Sequence, residues 1–129
     1  MIRLPKTAVW TLATFLAVAF VAAGVLKLVG VPAVRWAERF EQWGYPADAQ
    51  YLVGVLEILG GLGVLIPRWR RAASLTLCVL MIGALCTHML HGEFQRVIPP
   101  LVLGGLASVV YVSRVGDRSP KSQGPLISR

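Results

Sequence analysis

Charge is scarce in this chain: only 15% of its 129 residues are Asp, Glu, Lys or Arg, while 56% are hydrophobic and the mean hydropathy is +0.67. So little polar material excludes an ordinary water-soluble domain and indicates a membrane protein. Cysteine is nearly absent too. Cys78 and Cys86 lie eight residues apart on one predicted helix, ~12 Å along its axis, whereas a disulfide needs Cα atoms within ~7 Å. They cannot bridge each other, and neither belongs to a CxxC pair, which argues against thiol–disulfide chemistry by this chain alone. Soluble nucleophile motifs, phosphate-binding glycine loops and dinucleotide fingerprints are missing; "GGLG" lies inside an apolar helix, without the strand–helix context of a nucleotide site. No internal repeat stands out. A net charge of +7 does not point to nucleic acid, because the basic residues flank the apolar runs instead of interleaving with aromatics on one face.

What is present is a set of four apolar runs. Residues 7–26 carry no charge, and residues 72–90 carry only the His88 imidazole, so both can cross a hydrocarbon core of ~30 Å at ~1.5 Å per residue. Residues 49–66 form a third candidate, interrupted by Glu57. Residues 97–113 form the fourth, and the Pro99-Pro100 pair near its start suits a helix's first turn. The expected fold is an all-α integral membrane four-helix bundle, with helices at about 7–30, 49–66, 72–90 and 97–113. Residues 1–114 make up one domain, and the polar residues 115–129 a flexible cytoplasmic tail. The first run exceeds the ~7–15-residue core of a signal peptide and three more runs follow it, so it is expected to remain as a helix.

Basic residues set the expected orientation. Arg3, Lys6, Arg68, Arg70, Arg71, Arg114, Arg118, Lys121 and Arg129 fall on one side, against Arg35, Arg39 and Arg96 on the other, which puts both termini in the cytoplasm. "PRWRR" is a tight turn that makes the second and third spans antiparallel neighbours. The outer connection after the first span is longer. Val34, Ala37, Phe40 and Glu41 in it recur at helical spacing, so a short amphipathic outer segment is expected between helices 1 and 2. Its Trp36, Phe40, Trp43 and Tyr45 read first as a membrane-interface belt; the other reading is a ligand lid, which adds Trp43 and Tyr45 to the candidate binding residues.

Three ionisable residues lie inside the apolar runs. Glu57 is eight residues into its helix, ~12 Å below the outer surface, while Lys27 and His88 lie near the outer ends of theirs. All three belong to the outer half of the bundle. A charge at a span's centre costs ~2.5–3.5 kcal/mol on insertion scales, so such groups face inward and find partners. Lys27 and Glu57 are the natural pair, although Lys27 can instead snorkel to the headgroups. Gly54, Gly60 and Gly61 flank Glu57, Gly24 precedes Lys27 and Ala84 precedes His88, leaving room for close packing or for a ligand. Glu57 has either a structural role or a proton-handling one. Thr87 sits beside His88 and can bond back to its own helix. The spacing of His88 and His91 permits metal or haem ligation, but a histidine hydrogen-bonded at the interface is the commoner outcome, and no metal is assigned. Glu93 and Arg96 can pair in the outer loop, where His91 and Glu93 are possible contacts.

"AAGVLKLVG", "FEQWGYP", the helix-borne Glu57, "LIPRWRR", "GALCTHMLHGE" and "VIPPLVL", in this order and spacing, resemble the DoxX-like family of small four-helix membrane proteins over about residues 8–114. The resemblance implies a bacterial cytoplasmic (inner) membrane protein, with relatives linked to quinone-coupled sulfur oxidation or to membrane oxidoreductase complexes; more distant ones resemble assembly factors. Three functional classes follow. In the first, the chain is an accessory of a membrane oxidoreductase that binds a quinone or other lipophilic small molecule, with Lys27 and His88 as donors and Glu57 handling a proton. No independent catalytic centre is visible, so electrons come from a partner. In the second, it is a non-catalytic assembly or interaction factor with a structural polar cluster. The third, a transporter, requires a homo-oligomer to supply a pathway.

Overall fold

The computed structural model describes residues 1–115; the expected tail, except Val115, lies outside the described residues. A short strand β1 (Ile2–Leu4) leads into α1 (Lys6–Leu28), followed by α2 (Gly30–Gln42), α3 (Ala49–Gly63), α4 (Arg70–Leu90), a 3-10 turn (Phe94–Arg96), α5 (Ile98–Val112) and strand β2 (Ser113–Val115). The described chain is essentially all-α. Three segments, Lys6–Leu28, Arg70–Leu90 and Phe94–Val112, are long and apolar enough to cross a membrane. α3 is apolar but has 15 residues, a rise of ~22 Å.

Helix ends follow from local chemistry. α3 stops at Gly63 instead of the expected Ile66, because Pro67 disfavours helical geometry at the residue before it. The chain then turns, and the Arg70 guanidinium donates to the freed Val64 carbonyl at 2.8 Å. α1 ends at Leu28, earlier than residue 30, with Val29 extended before α2 begins. The expected amphipathic segment is α2, a 13-residue helix burying Ala33 and Phe40 and carrying Pro32 in its first turn.

α2 and α4 end in the same way. After α2, the Gly44 amide donates to Glu41 O and the Tyr45 amide to Phe40 O, both at 2.9 Å; after α4, the Gly92 amide donates to Met89 O at 3.3 Å and the Glu93 amide to His88 O at 2.8 Å. These are Schellman turns, which need a left-handed residue; Gly44 (φ 81°) and Gly92 (φ 68°) supply it without a Cβ clash. Each turn folds the residue after its glycine back over the last helical turn. Tyr45 thus meets Phe40, and Glu93 meets His88.

α1 packs on α3, α3 on α4, α4 on α5, and α5 returns to α1. At the end of the molecule away from α2, Ala13, Leu16, Ala17, Phe20, Val64, Ala73, Leu77, Ala107 and Val110 form a buried apolar core. β1 and β2 close that end as a parallel ribbon pairing Ile2 with Ser113, Arg3 with Arg114 and Leu4 with Val115. This ribbon was not expected. Three-residue strands are too short to carry an alternating pattern, and their pairing depends on the helices bringing both chain segments to one end.

Candidate functional site

Glycines decide where the helices touch. A Cβ on Gly24 would lie 2.5 Å from Gly54 O, so α1 and α3 meet backbone to backbone near the α2 end. α3 and α4 make their closest approach at the other end, where a Cβ on Gly60 would lie 2.6 Å from Leu77 Cδ2 and one on Gly63 2.7 Å from Ala73 Cβ. Toward α2, α3 and α4 leave space between them. A cavity of ≈ 350 Å³ occupies this region, with walls from α3 and α4, Lys27 of α1, and a roof of Trp36, Phe40, Trp43 and Tyr45 from α2 and its turn. The aromatic segment therefore covers a cavity and is more than an interface belt.

Lys27, Glu57, Thr87 and His88 all line this space. Lys27 is 6% exposed and Glu57 3%, so neither the ammonium nor the carboxylate reaches the surface. Lys27 Nζ donates to both Glu57 oxygens, at 2.8 Å to Oε2 and 3.1 Å to Oε1, and lies 4.3 Å from the Trp36 ring centroid. The carboxylate and the ring thus hold the cation between them. The snorkelling alternative for Lys27 does not occur.

Beside this pair, Thr87 donates to Gly83 O at 2.8 Å and bonds the Tyr45 hydroxyl. Since the Thr87 proton is used in its own helix, the Tyr45 O–H is the donor between them. Tyr45 is thereby tied from the α2–α3 connection to α4. His88 Nδ1 is 2.7 Å from Glu93 Oε2, and Glu93 Oε1 accepts from Arg96 at 3.2 Å. The His88 hydrogen bond, then the charge of Arg96, hold the Glu93 carboxyl below its ordinary value of 4.5 despite some desolvation. A carboxylate facing Nδ1 fixes the proton there, so a neutral His88 presents Nε2 as an acceptor. Trp43 stands edge-on to the His88 ring at 5.5 Å between centroids.

His91 and Glu93 do not line the cavity. His91 Nδ1 is 2.8 Å from Thr87 O of its own helix, and Glu93 acts through His88. Among the described residues no group of three His, Cys, Asp or Glu side chains is arranged to hold a metal ion.

Two participants escaped the sequence reading. Gln50 is fully buried, donating to Lys27 O at 3.2 Å and to Ala33 O at 3.0 Å, and so joins the starts of α2 and α3 to a terminal carbonyl of α1. A glutamine near a helix start carries no sequence signal that it will be buried there. Trp36 was counted among the aromatics, but its contact with Lys27 depends on the turn at residues 29–30 and has no sequence signature.

Comparison with known proteins follows the same lines. The family model described as the DoxX-like family matches residues 11–110, most of the chain, and the chain belongs to that family. No curated protein matches it, and no solved structure does.

Proposed function

We propose that this DoxX-like membrane protein is an accessory of a membrane oxidoreductase system, holding a quinone-like or similar lipophilic molecule in the cavity beneath α2. The observation that carries this reading is a mostly apolar space of ≈ 350 Å³ with a few polar groups converging on one end, the usual character of a small-molecule site. Lys27 has a third N–H beyond its two bonds to Glu57, available to a carbonyl oxygen. Glu57 is positioned to hold or release a proton, while a neutral His88, expected as a donor, presents Nε2 as an acceptor and so suits a hydroxyl of the reduced, hydroquinone form. A bound quinone would supply two-electron chemistry, exchanged with the oxidoreductase partner. Residues 1–114 act as the functional unit in the bacterial cytoplasmic membrane, with the cavity in the outer half and both termini cytoplasmic, as the distribution of basic residues indicates.

Solvent extraction of the purified protein, followed by an ultraviolet spectrum before and after borohydride, tests the reading. A reducible quinone is expected from the parent, and much less from a folded Glu57→Gln protein. No quinone from the parent, and no quenching of its tryptophan fluorescence on titration with a short-chain benzoquinone, would overturn it.

The second reading is a non-catalytic assembly factor. It is favoured by the closure of the network on itself, since Lys27, Glu57, Tyr45 and Thr87 all have partners within the protein. On that reading Glu57→Gln unfolds the protein without affecting any ligand.

A further inference from the structure

We infer that the cavity takes a molecule with a neutral head and a hydrocarbon tail, and that the tail leaves sideways into the bilayer through a gap between α3 and α4 at Leu52, Val79 and Gly83. This rests on the ligand-site reading above and adds the ligand's shape, charge and route.

The lining divides by chemistry. Lys27, Glu57, Thr87 and His88 supply the polar part, whereas Leu52, Val53, Val79, Leu80 and Met81 are apolar. Several lining residues also face outward. Leu52 is 64% exposed and Val79 60%, and Gly83 is exposed as well, so the cavity wall and the lipid-facing surface meet at these positions. A Cβ on Gly83 would find no atom within 4 Å. Unlike Gly24, Gly60 and Gly63, this glycine is not filled by a neighbouring helix. It lies seven residues before the end of α4, ~10 Å along the axis from that end, which places the gap within the span and away from the aqueous surface. Toward the aqueous side α2 and its turn form a roof with Phe40 only 7% exposed; Tyr45 at its edge is 41% exposed but is held to Thr87 through its hydroxyl.

Charge sets the head. Each ion around the cavity already has a counter-ion, Lys27 with Glu57 at 2.8 Å and Glu93 with Arg96 at 3.2 Å. An anionic head would compete with Glu57 for Lys27, and a cationic head would compete with Lys27 for Glu57. A neutral head with hydrogen-bonding oxygens leaves both pairs intact, and an apolar tail in the gap is solvated by lipid. Fatty acids and alkyl amines therefore bind poorly.

The test uses the full chain in lipid nanodiscs, with tryptophan quenching by a decyl-tailed benzoquinone and by the same head without its tail. The parent is expected to bind both. Gly83→Phe places a ring in the gap at a position with room for it, and it also replaces a helix-weakening residue. It is expected to weaken the tailed probe by about tenfold or more, within the spread seen among variants of one site, while the tail-less probe binds as before. Val79→Phe, on the same rim, is expected to act in the same direction. Undiminished binding of the tailed probe in both variants would overturn the lateral gap and leave the ligand-site reading standing. Equal loss of both probes would also overturn it, since the substitutions would then act on the pocket itself. Failure of the parent to bind either probe would sink both readings together.

Discussion

The α2 end and the ribbon end of this molecule are built from the same four apolar helices, yet they bury different things. Near the ribbon, Leu16, Phe20, Val64, Leu77 and Val110 fill the space between helices, and the buried polar residues are Ser74 and Arg70, the latter bonded to the Val64 carbonyl. Near α2, the buried positions include Lys27, Gln50, Glu57, Thr87 and His88, and a cavity remains. α3 leans on α1 along its length, through Gly24 and Gly54 near α2 and through Gly61 against Ala17 and Phe20 near the ribbon, but it meets α4 closely only near the ribbon, at Gly60 and Gly63. A helix held to one neighbour throughout and to the other at one end only leaves a gap on that second side. The polar groups on its walls are partnered around it: Lys27 and Glu57 pair between α1 and α3, Thr87 reaches Tyr45 in the roof, and His88 bonds Glu93 in the turn after α4. Hydrophobicity thus brings the helices together, and the placement of small residues decides where they part.

The sharpest way to break this contrast is Lys27→Met, which leaves the Glu57 carboxylate buried without its cation. A loss of about 3–5 kcal/mol is expected in reversible unfolding in detergent, with the double variant Lys27→Met, Glu57→Leu recovering most of it. A single variant as stable as its parent would mean that the pair does not hold the α2 end together. At the ribbon end, Leu77→Ala is expected to cost about 2–5 kcal/mol by the same assay through the cavity it opens, and to leave probe binding beneath α2 unchanged. Altered binding would show that the two ends are coupled.

A smaller effect separates the glycines. Gly24→Ala, whose methyl would meet Gly54 O and Ile58 Cγ1, is expected to cost about 1–3 kcal/mol through overpacking. Gly83→Ala, in open space, is expected to be neutral or stabilising by up to about 1 kcal/mol. Equal costs would remove the argument that close contacts at chosen glycines shape the gap.

The smallest effect comes from pH. The folded-state pKa of Glu93 lies below its ordinary value of 4.5, so its contribution is fully present above that value and is lost as pH falls through the lower folded value. The protection of the Gly92 and Glu93 amides, taken relative to the intrinsic exchange rate at each pH, is therefore expected to fall as pH drops below about 4.5. In Glu93→Gln this acid loss of protection should vanish. With 27% of the Glu93 side chain exposed, the change is expected to stay local to the turn.

Much of this was readable in residue order. Runs of twenty or so apolar residues announce spans, and Pro99-Pro100 marks a helix start. The depth of Lys27 and Glu57 on antiparallel neighbours made their meeting predictable, since an unpaired ion in hydrocarbon is costly. Less was readable where a signal was local and its meaning was not. Gly44 and Gly92 mark turns in any sequence, but nothing in "WGYP" or "LHGE" says that Tyr45 will reach Thr87 or that Glu93 will fold onto His88. Pro67 shortened α3 by a few residues that hydropathy alone had assigned to it.

Sequence by itself determined the solvent of this protein, the number of its apolar helices and the presence of buried charge, because these depend on composition and on short-range spacing along one chain. Tertiary structure decided that α2 roofs a cavity, that Trp36 meets Lys27, that Gln50 joins three helices and that Arg3 pairs with Arg114 across a ribbon. Each of these depends on the angle and distance between helices, which are set by contacts among residues far apart in the chain.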